Sequence, residues 1–326
     1  MESDRSERNE RDYGQMVHKP VMLKQVIEAL NIKPDGIYVD ATLGGAGHSS
    51  EILSRLGRGG LLIGIDQDEM ALATAVKRLS HVKTEGEFKT AKSNFVNLKK
   101  VCDSFGIDKV DGILMDLGVS SFQLDSEERG FSYRFDSPID MRMDLQGELT
   151  GADVVNDYPQ EKLREMIYAY SDEKFASQIS REIVRAREQK RIETTGELVR
   201  IIEKAIPQKA RLAEKGHPAK RTFQAIRIEV NKELEVLEKG LGEAIDILSS
   251  GGRLCVLTFE SLETRICRKV FREKEDPCTC PKNFPVCVCG KKPLGKMLGR
   301  GIFPDEEEIA ENPRSSCASL RIFEKY

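Results

Sequence analysis

The stretch that decides the fold reads Ile37-Tyr-Val-Asp-Ala-Thr-Leu-Gly-Gly-Ala-Gly-His48. It places a short apolar run, typical of a buried strand, directly before a glycine-rich turn and the start of a helix. The next apolar run, over residues 61–65, ends on Asp66. Glycines in such a turn let the backbone approach a ligand, and an acid after the next strand is placed to bind ribose hydroxyls. The stretch therefore predicts a ligand that contains adenosine, at the edge of a parallel sheet.

Strand-length apolar runs alternate with helix-period segments up to residue 116. The apolar runs lie near residues 37–41, 61–65, 88–91 and 110–115, and the helix-period segments near 49–56, 70–79 and 96–105. Strands that alternate with helices predict right-handed βαβ units and a parallel sheet.

The pattern changes after Asp116. No strand is predicted from 126 to 220, where helical periodicity recurs over residues 160–170, 173–188 and 195–205. One long helix over about 222–248 leads to strands at 253–259 and 319–323, with a helix over 261–272 between them. We therefore predict an α/β fold, a Rossmann-like sheet with an inserted all-helical domain. The predicted parts are a disordered tail at 1–16, sheet segments at 17–125 and 221–326, a helical insertion at 126–220 and a cysteine-rich loop at 278–289.

The composition predicts a folded protein in a reducing compartment. The chain has 326 residues, 51 Lys and Arg against 54 Asp and Glu, a formal net charge of −3 and 39% hydrophobic residues. This balance excludes wholesale disorder and a uniformly basic nucleic-acid binder, but not a local basic face. No apolar run reaches the roughly 18 residues of a membrane span, and the first sixteen residues, with five acids and three arginines, do not resemble a signal peptide. With eight cysteines besides, we expect a cytoplasmic location.

The glycine-rich turn narrows the choice of ligand. The dinucleotide fingerprint G-x-G-x-x-G fails at its last glycine, because Gly45-Ala-Gly47-His-Ser-Ser50 ends in serine. The P-loop sequence G-x-x-x-x-G-K-[ST] does not occur in the chain. S-adenosylmethionine, which has ribose hydroxyls but no pyrophosphate, is the remaining common ligand for such a sheet. His48 is either a ligand contact or a simple cap at the helix start.

The fourth predicted strand ends on Asp116, and Gln123 follows seven residues later. In open α/β sheets the ligand crevice lies beyond the carboxyl ends of the strands, and Asp40 and Asp66 end neighbouring strands. Asp116 is therefore the candidate reacting group. The alternative is an aspartate that caps a helix or a turn.

Seven longer motifs follow one another along the chain. They are His18-Lys-Pro-Val-Met-Leu23, Asp35-Gly-Ile-Tyr-Val-Asp-Ala-Thr-Leu-Gly-Gly-Ala-Gly-His48, Asp116-Leu-Gly-Val-Ser-Ser-Phe-Gln-Leu-Asp125, Glu128-Arg-Gly-Phe-Ser132, Asp140-Met-Arg-Met-Asp144, His217-Pro-Ala-Lys-Arg-Thr-Phe-Gln-Ala-Ile-Arg-Ile228 and Asn312-Pro-Arg-Ser315. In this order they closely resemble the bacterial 16S rRNA (cytosine-N4)-methyltransferases, the RsmH (MraW) family. The ordered set is very specific and runs from about residue 18 to the C-terminus.

The resemblance implies a class I S-adenosylmethionine-dependent methyltransferase that acts on the exocyclic N4 of a cytidine in the decoding centre (P site) of 16S rRNA. It implies S-adenosyl-L-methionine as cofactor, 16S rRNA within the small ribosomal subunit as partner, no membrane, and an insertion that helps hold the RNA. Whether the protein forms a homodimer stays open. The implied cofactor contacts are Ala46, Gly47, His48, Asp66, Phe95, Asp116 and Gln123, with Phe95 against the adenine.

Asp116 is also the predicted catalytic residue. It accepts the protons of the cytosine N4 or orients the acceptor, with cofactor binding alone as the alternative. The Asx-Pro-Pro-aromatic motif of DNA amino-methyltransferases is absent, and Asn312-Pro-Arg-Ser315 is interpreted as a structural turn. Where the family has F-H-S-L-E-D-R, this chain has Phe259-Glu-Ser-Leu-Glu-Thr-Arg265, so Glu260 and Thr264 receive no role. The alternative functions are a DNA cytosine-N4 methyltransferase and a non-catalytic ribosome-assembly factor on the same fold.

Two basic segments predict an RNA-binding surface. Residues 203–227 hold seven Lys or Arg and two Glu, and residues 282–300 hold five Lys or Arg and no acid. A solvated charged face is the alternative for both segments.

Four cysteines crowd into one short segment, as Cys278-Thr-Cys280 and Cys287-Val-Cys289. Four thiolates can form a structural zinc site, but C-x-C is tighter than the usual C-x₂₋₄-C spacing. Reduced thiols or a redox-labile disulfide are the alternatives. No metal ligand is assigned to the active site, because methyl transfer needs no metal.

Overall fold

Strands and helices alternate along the first part of the chain, as the sequence predicts. The computed structural model describes residues 19–120, 123, 124, 126–213, 216–281, 286 and 288–326. In these residues the strands β1 to β7 span Ile37–Asp40, Leu61–Asp66, Glu87–Lys92, Val110–Asp116, Leu248–Thr258, Gly295–Met297 and Ser319–Lys325. The helices α1 to α13 span Leu23–Leu30, Gly47–Ser54, Glu69–Leu79, Leu98–Ser104, Gly151–Asp157, Gln160–Ser171, Ala176–Arg187, Thr195–Ala205, Gln208–Ala213, Lys220–Asn231, Glu233–Ile247, Ser261–Glu275 and Glu306–Glu311. Phe95–Asn97 and Pro313–Cys317 are 3₁₀ helices.

The strands form one sheet in the order β3-β2-β1-β4-β5-β7-β6. Strands β1 to β5 are parallel, and β7 runs antiparallel to both of its neighbours. The strand order reverses between β1 and β4, where the N–H of Ala41 donates to the carbonyl oxygen of Leu114 at 2.9 Å. A reversal of this kind places the ligand crevice beyond the ends of these two strands. The predicted α/β class and Rossmann-like sheet are confirmed.

Helices cover both faces of the sheet, because alternate residues of each strand point to opposite sides. On β1, Val39 belongs to the core that α4, α11 and α12 cover, whereas Tyr38 belongs to the core under α1, α2 and α3. Ile113 and Leu114 of β4 divide in the same way. With both faces buried, the strands are apolar at successive positions, and this explains the strong strand signal in the sequence.

The helical insertion has a hydrophobic core of its own. Its buried residues come from the segment 131–141 and from α5, α6, α7, α8 and α10. Helix α10 contributes Phe223 and Val230, so this core extends beyond the predicted limit at residue 220. The predicted tail at 1–16 and the limit at residue 125 lie outside the described residues.

The long helix predicted over 222–248 is two helices, α10 and α11, which meet at Lys232. Lys232 has a φ of 50°, in the left-handed region that a lysine rarely adopts. Across this break, Arg227 Nε and Glu233 Oε1 form an ion pair at 2.8 Å with both side chains largely buried. The break therefore turns the chain from the insertion back to the sheet, and it brings both helices to one crevice.

The longest described helices, α11 and α12, have 15 residues each. Among the helices that the structure describes, none is long and apolar enough to cross a membrane.

Candidate active site

A crevice of about 590 Å³ opens beyond the carboxyl ends of β1, β2 and β4. The turns after these strands form one part of its wall, and α10, α11 and the 3₁₀ helix Pro313–Cys317 form another. Its volume suits a ligand of nucleoside size. Of the predicted cofactor contacts, the crevice brings together Gly47, His48, Asp66, Phe95, Asp116 and Gln123.

The glycine-rich turn after β1 folds back onto the end of β2. The N–H of Gly44, which has a φ of 48°, donates to Oδ2 of Asp66 at 2.7 Å. Gly47 begins α2, and a Cβ atom there would lie 2.5 Å from the ring of Pro20. A side chain at Gly47 would therefore displace Pro20, which itself lines the crevice.

Ala46 occupies a different position from the other predicted contacts. It is fully buried and is not among the described residues that line the crevice. Its N–H donates to the carbonyl oxygen of Leu43 at 2.8 Å, and its φ of 57° turns the chain into α2. The structure therefore gives Ala46 a role in shaping the turn, and direct contact between Ala46 and the cofactor stays a prediction.

Asp66 presents a carboxylate to the crevice from the end of β2. Its Oδ1 accepts a hydrogen bond from the N–H of Asp68 at 2.9 Å, in addition to the bond from Gly44 to Oδ2. A carboxylate has about four lone-pair positions, so both oxygens can accept further bonds from hydroxyl groups. Burial raises the pKa of Asp66 above its usual value, and hydroxyl donors would favour the ionised form again.

Phe95 lines the crevice and packs against α11, where a Cβ atom on Gly240 would lie 2.5 Å from its ring. Beside it, Nδ2 of Asn94 donates to Oε1 of Gln67 at 2.8 Å. A flat apolar ring beside two amides matches the needs of a purine base. Gln67 and Asn94 are not among the residues predicted from the sequence, although both follow the ends of parallel strands.

His48 and Asp116 face each other across the crevice floor. The Nε2 atom of His48 lies 2.9 Å from the carbonyl oxygen of Val21, which can only accept, so Nε2 carries the proton. Nδ1 of His48 then faces Oδ2 of Asp116 at 3.7 Å. Burial lowers the pKa of His48 and raises the pKa of Asp116 to about 7. At neutral pH the pair therefore combines a neutral imidazole with a carboxyl group close to its titration midpoint.

Asp40, which also lines the crevice, adds a second carboxyl group close to His48 and Asp116. Its Oδ2 accepts a hydrogen bond from the hydroxyl of Ser49 at 2.7 Å, and its Oδ1 accepts one from the N–H of Thr42 at 3.2 Å. Burial raises the pKa of Asp40 to about 6. Thr42 also accepts a hydrogen bond from the N–H of Asp116 at 2.7 Å, which fixes the ends of β1 and β4 to each other.

Gln123 links the turn after β4 to the end of β2. Its Oε1 accepts a hydrogen bond from the N–H of Ser120 at 3.1 Å, and its Nε2 lies 3.5 Å from Oδ2 of Asp68. The same Asp68 oxygen forms a buried ion pair at 2.9 Å with Arg129, from the start of the insertion. Asp68 in turn caps the N-terminus of α3. This junction could not be predicted from the sequence, because Arg129 and Asp68 are 61 residues apart in the chain.

The wall contributed by the insertion is basic and aromatic. Lys220, Phe223 and Arg227 of α10 line it, together with Tyr133. The ring of Tyr133 stacks on His217 with centroids 4.4 Å apart and meets Phe223 edge-on at 5.9 Å. The wall therefore offers aromatic surface and the charge of Lys220 beside the polar turns of the sheet, whereas the charge of Arg227 is paired with Glu233.

The segment Asn312-Pro-Arg-Ser315 contributes to the site as well as to a turn. The Nδ2 atom of Asn312 donates to the carbonyl oxygen of Lys19 at 3.1 Å, and the N–H of Ser315 donates to the carbonyl oxygen of Asn312 at 2.9 Å. These bonds agree with the interpretation as a turn. Pro313 and Arg314 nevertheless line the crevice, which the sequence analysis did not anticipate.

Glu260 and Thr264, which depart from the family's F-H-S-L-E-D-R pattern, lie at the start of α12. Glu260 caps this helix and lines the crevice, whereas the hydroxyl of Thr264 lies 2.8 Å from that of Thr258. Between them, Glu263 is buried, and its carboxylate accepts hydrogen bonds from the N–H groups of Phe259 and Glu260 at 2.7 and 3.0 Å. Both departures are thus accommodated in local helix and strand contacts.

The predicted basic segments divide between the crevice and the outer surface. Lys220 and Arg227 of the first segment line the crevice. Lys204 and Lys296 form ion pairs with nearby glutamates at 2.9 and 3.4 Å, which is typical of a solvated charged face. Residues 214, 215, 282–285 and 287 of these segments lie outside the described residues.

Comparisons with known proteins show what the whole chain is similar to. The model of the MraW methylase family matches residues 15–326. The chain is 53% identical over 309 residues to ribosomal RNA small subunit methyltransferase H of Acetivibrio thermocellus, covering 94% of this chain and 98% of that protein. The corresponding protein of Lachnospira eligens is 54% identical over 309 residues, covering 94% of this chain and 97% of its own length. Among solved structures, an rRNA methylase from Streptococcus thermophilus aligns over 95% of this chain and 98% of its own, with a TM-score of 0.40 and 12% identity.

The family resemblance predicted from the sequence is confirmed. The family model spans almost the whole chain, and the relatives are more than half identical to it over nearly their full length. The chain belongs to the MraW methylase family, whose members are S-adenosylmethionine-dependent methyltransferases.

Proposed function

We propose that this chain methylates the exocyclic N4 of a cytidine in the decoding centre (P site) of 16S rRNA. The observation that carries the proposal is one crevice with two kinds of wall: carboxylates and an aromatic ring at the strand ends, and basic and aromatic side chains from the insertion. The first kind of wall suits a cationic nucleoside, and the second suits a base that has left an RNA stack. The relatives are named ribosomal RNA small subunit methyltransferase H, which supports this substrate class.

The residues at the strand ends fit S-adenosylmethionine. Asp66 retains lone pairs for the two ribose hydroxyls, and Phe95, with Gln67 and Asn94, would hold the adenine. Asp116 lies in the same crevice and would offset the positive charge of the sulfonium. When bound, the cofactor supplies an electrophilic methyl group.

Asp116 is the proposed acceptor of the proton that the N4 amine loses. The N4 lone pair is delocalised into the cytosine ring, so this amine is a weak nucleophile and needs an acceptor placed beside it. Burial raises the pKa of Asp116 to about 7, close to the value at which a general base works best at neutral pH. Nδ1 of His48 faces Oδ2 of Asp116 at 3.7 Å, and because burial lowers the pKa of His48 the proton stays on Asp116.

The wall formed by the insertion is the proposed RNA contact. A cytidine must leave its stack to reach Asp116, and aromatic side chains compensate for part of the lost stacking. Tyr133 and Phe223 supply that surface, and Lys220 beside them is placed to contact phosphate. Arg314, from the 3₁₀ helix Pro313–Cys317, lines the same crevice and is a second proposed phosphate contact. We propose the assembled small ribosomal subunit as the physiological partner. Self-association of this chain into a homodimer is a separate possibility.

A direct test measures transfer of labelled methyl groups to small subunits, to naked 16S rRNA and to duplex DNA. We expect incorporation into small-subunit rRNA, and nucleoside analysis of the product should yield N4-methylcytidine. Ribosomes from a strain that lacks the gene should miss this one modification. Methylation of duplex DNA would favour the DNA methyltransferase alternative. Tight RNA binding without turnover in the presence of bound cofactor would favour the assembly factor.

A further inference from the structure

The described residues between α12 and β6 are mostly exposed. Its described residues form no helix or strand between Glu275 and Gly295. Hydrogen bonds fix its base, where the N–H of Leu294 donates to the carbonyl oxygen of Lys274 at 2.9 Å. Farther out, Val286 and Val288 are 70% and 72% exposed. A long loop that buries so little apolar surface usually needs a covalent or metal cross-link to hold one conformation.

Three cysteine sulfurs converge in this segment. The Sγ atoms of Cys278, Cys280 and Cys289 all lie within 4.8 Å of one another, and those of Cys278 and Cys289 are 3.9 Å apart. In a tetrahedral site with zinc–sulfur bonds of about 2.3 Å, neighbouring sulfurs lie about 3.8 Å apart. A disulfide requires about 2.0 Å and joins only two sulfurs. The observed spacing fits a tetrahedral metal site, and the 3.9 Å between Cys278 and Cys289 is too long for a disulfide.

We propose that Cys278, Cys280 and Cys289 bind one Zn²⁺ ion, which has a structural role. Each thiol gives up its proton to solvent on binding, because the thiolate is the ligand. The N–H of Val288 donates to Sγ of Cys280 at 3.4 Å and would stabilise its negative charge. Gly290, with a φ of 69°, provides the turn directly after Cys289. Cys287 lies outside the described residues, and the proposal does not depend on it.

The metal would hold a surface loop and would take no part in methyl transfer. None of these three cysteines is among the described residues that line the crevice. The exposed Lys291 and Lys292 follow the site directly, so the ion would fix the position of a basic segment. The proposal is thus independent of the proposed substrate.

The test begins with the metal content of the full-length protein, purified without chelator from cells grown with added zinc. We expect about one zinc per chain. Replacement of zinc by Co²⁺ should give the visible absorption of a tetrahedral thiolate site and a sulfur-to-cobalt band in the near ultraviolet. In the Cys278→Ser/Cys280→Ser variant both the metal and these bands should be lost. The Cys317→Ser variant changes an exposed cysteine outside the cluster and should keep the full zinc content.

A fold control keeps the test decisive. Cofactor binding, measured by calorimetry, should be equal in the zinc-loaded protein and after zinc removal, while proteolysis of the 276–294 segment should become faster on removal. Zinc that is absent from the wild type would overturn the proposal, as would zinc retained by the double variant. A disulfide among these cysteines, found by mass spectrometry in rapidly alkylated cell extracts, would also overturn it.

Discussion

Replacing Asp116 by asparagine should stabilise the unliganded protein and at the same time abolish methyl transfer. Burial raises the pKa of Asp116 from 3.8 to about 7. Since one pKa unit corresponds to about 1.4 kcal/mol, the ionised carboxylate costs the folded protein about 4 kcal/mol relative to the unfolded chain. The side chain is 29% exposed, so solvent screening makes this figure an upper limit. Asparagine has nearly the same shape and removes the charge.

The gain in stability should grow with pH. Below pH 3.8 Asp116 is protonated in both the folded and the unfolded state, and its charge costs nothing. The stability that protonation provides is lost as pH rises from 3.8, where the unfolded chain ionises, to about 7, where the folded protein ionises. The Asp116→Asn variant should therefore gain up to about 4 kcal/mol at pH 8 and about 2 kcal/mol at pH 5.

Urea unfolding of cofactor-free protein at the two pH values, followed by circular dichroism, measures this difference. Asp108→Asn is the matched control, because the Asp108 side chain is 82% exposed and its removal should change stability little at either pH. An equal effect of Asp116→Asn at both pH values would refute the assigned pKa. Near-normal turnover of the variant at saturating cofactor would refute the assigned role in catalysis.

Three further predictions concern the site and its supports. Gly240→Ala places a Cβ atom 2.5 Å from the ring of Phe95 and should raise the Kd for S-adenosylmethionine about tenfold. Gly242→Ala is the control, because the space around Gly242 is open and cofactor binding should not change. Equal affinities of the two variants, measured by calorimetry, would contradict the role of Phe95. Arg129→Met leaves the buried carboxylate of Asp68 without its cation and should lower the free energy of unfolding in urea by about 3 kcal/mol. Arg142→Met should lower it less, because the ion pair between Arg142 and Asp140 is more exposed. The reverse order would contradict the importance of the buried pair. Because Asp116 must be ionised to accept a proton and burial raises its pKa to about 7, kcat/KM for the cofactor should fall about tenfold from pH 8 to pH 6, and a flat profile would exclude this residue as the base.

The sheet and its acids could be predicted because their signals are local. Buried parallel strands appear as short apolar runs, and each predicted strand ends close to the observed one, with Asp66 and Asp116 as last residues of β2 and β4. Strand β6 was missed, since its three residues are too few to show a pattern. The break at Lys232 was also missed, because it has neither a glycine nor a proline and depends on the packing of α10 and α11.

The second wall of the crevice could not be predicted in the same way. Tyr133, Phe223 and Arg314 come from three separate segments, and only the folded chain brings them to one site. Phe223 lies in a predicted basic segment and Arg314 in a predicted turn, and neither prediction specifies a surface shared with Tyr133. Ala46 was predicted as a cofactor contact because it belongs to the glycine-rich motif, but it is fully buried. A sequence motif does not show whether a residue faces the ligand or packs inside the turn.

The buried ion pair between Arg129 and Asp68 makes the two parts of the molecule thermodynamically interdependent. Asp68 caps α3 and donates its N–H to Asp66, while Arg129 also donates to the carbonyl oxygen of Arg142 at 2.8 Å in the insertion. A ligand that orders one side of this junction also restricts the other side. A second ligand that binds there then loses less conformational entropy. Coupling of this kind is reciprocal, so a cofactor that strengthens RNA binding through the junction is itself held more tightly, by the same factor, when RNA is bound.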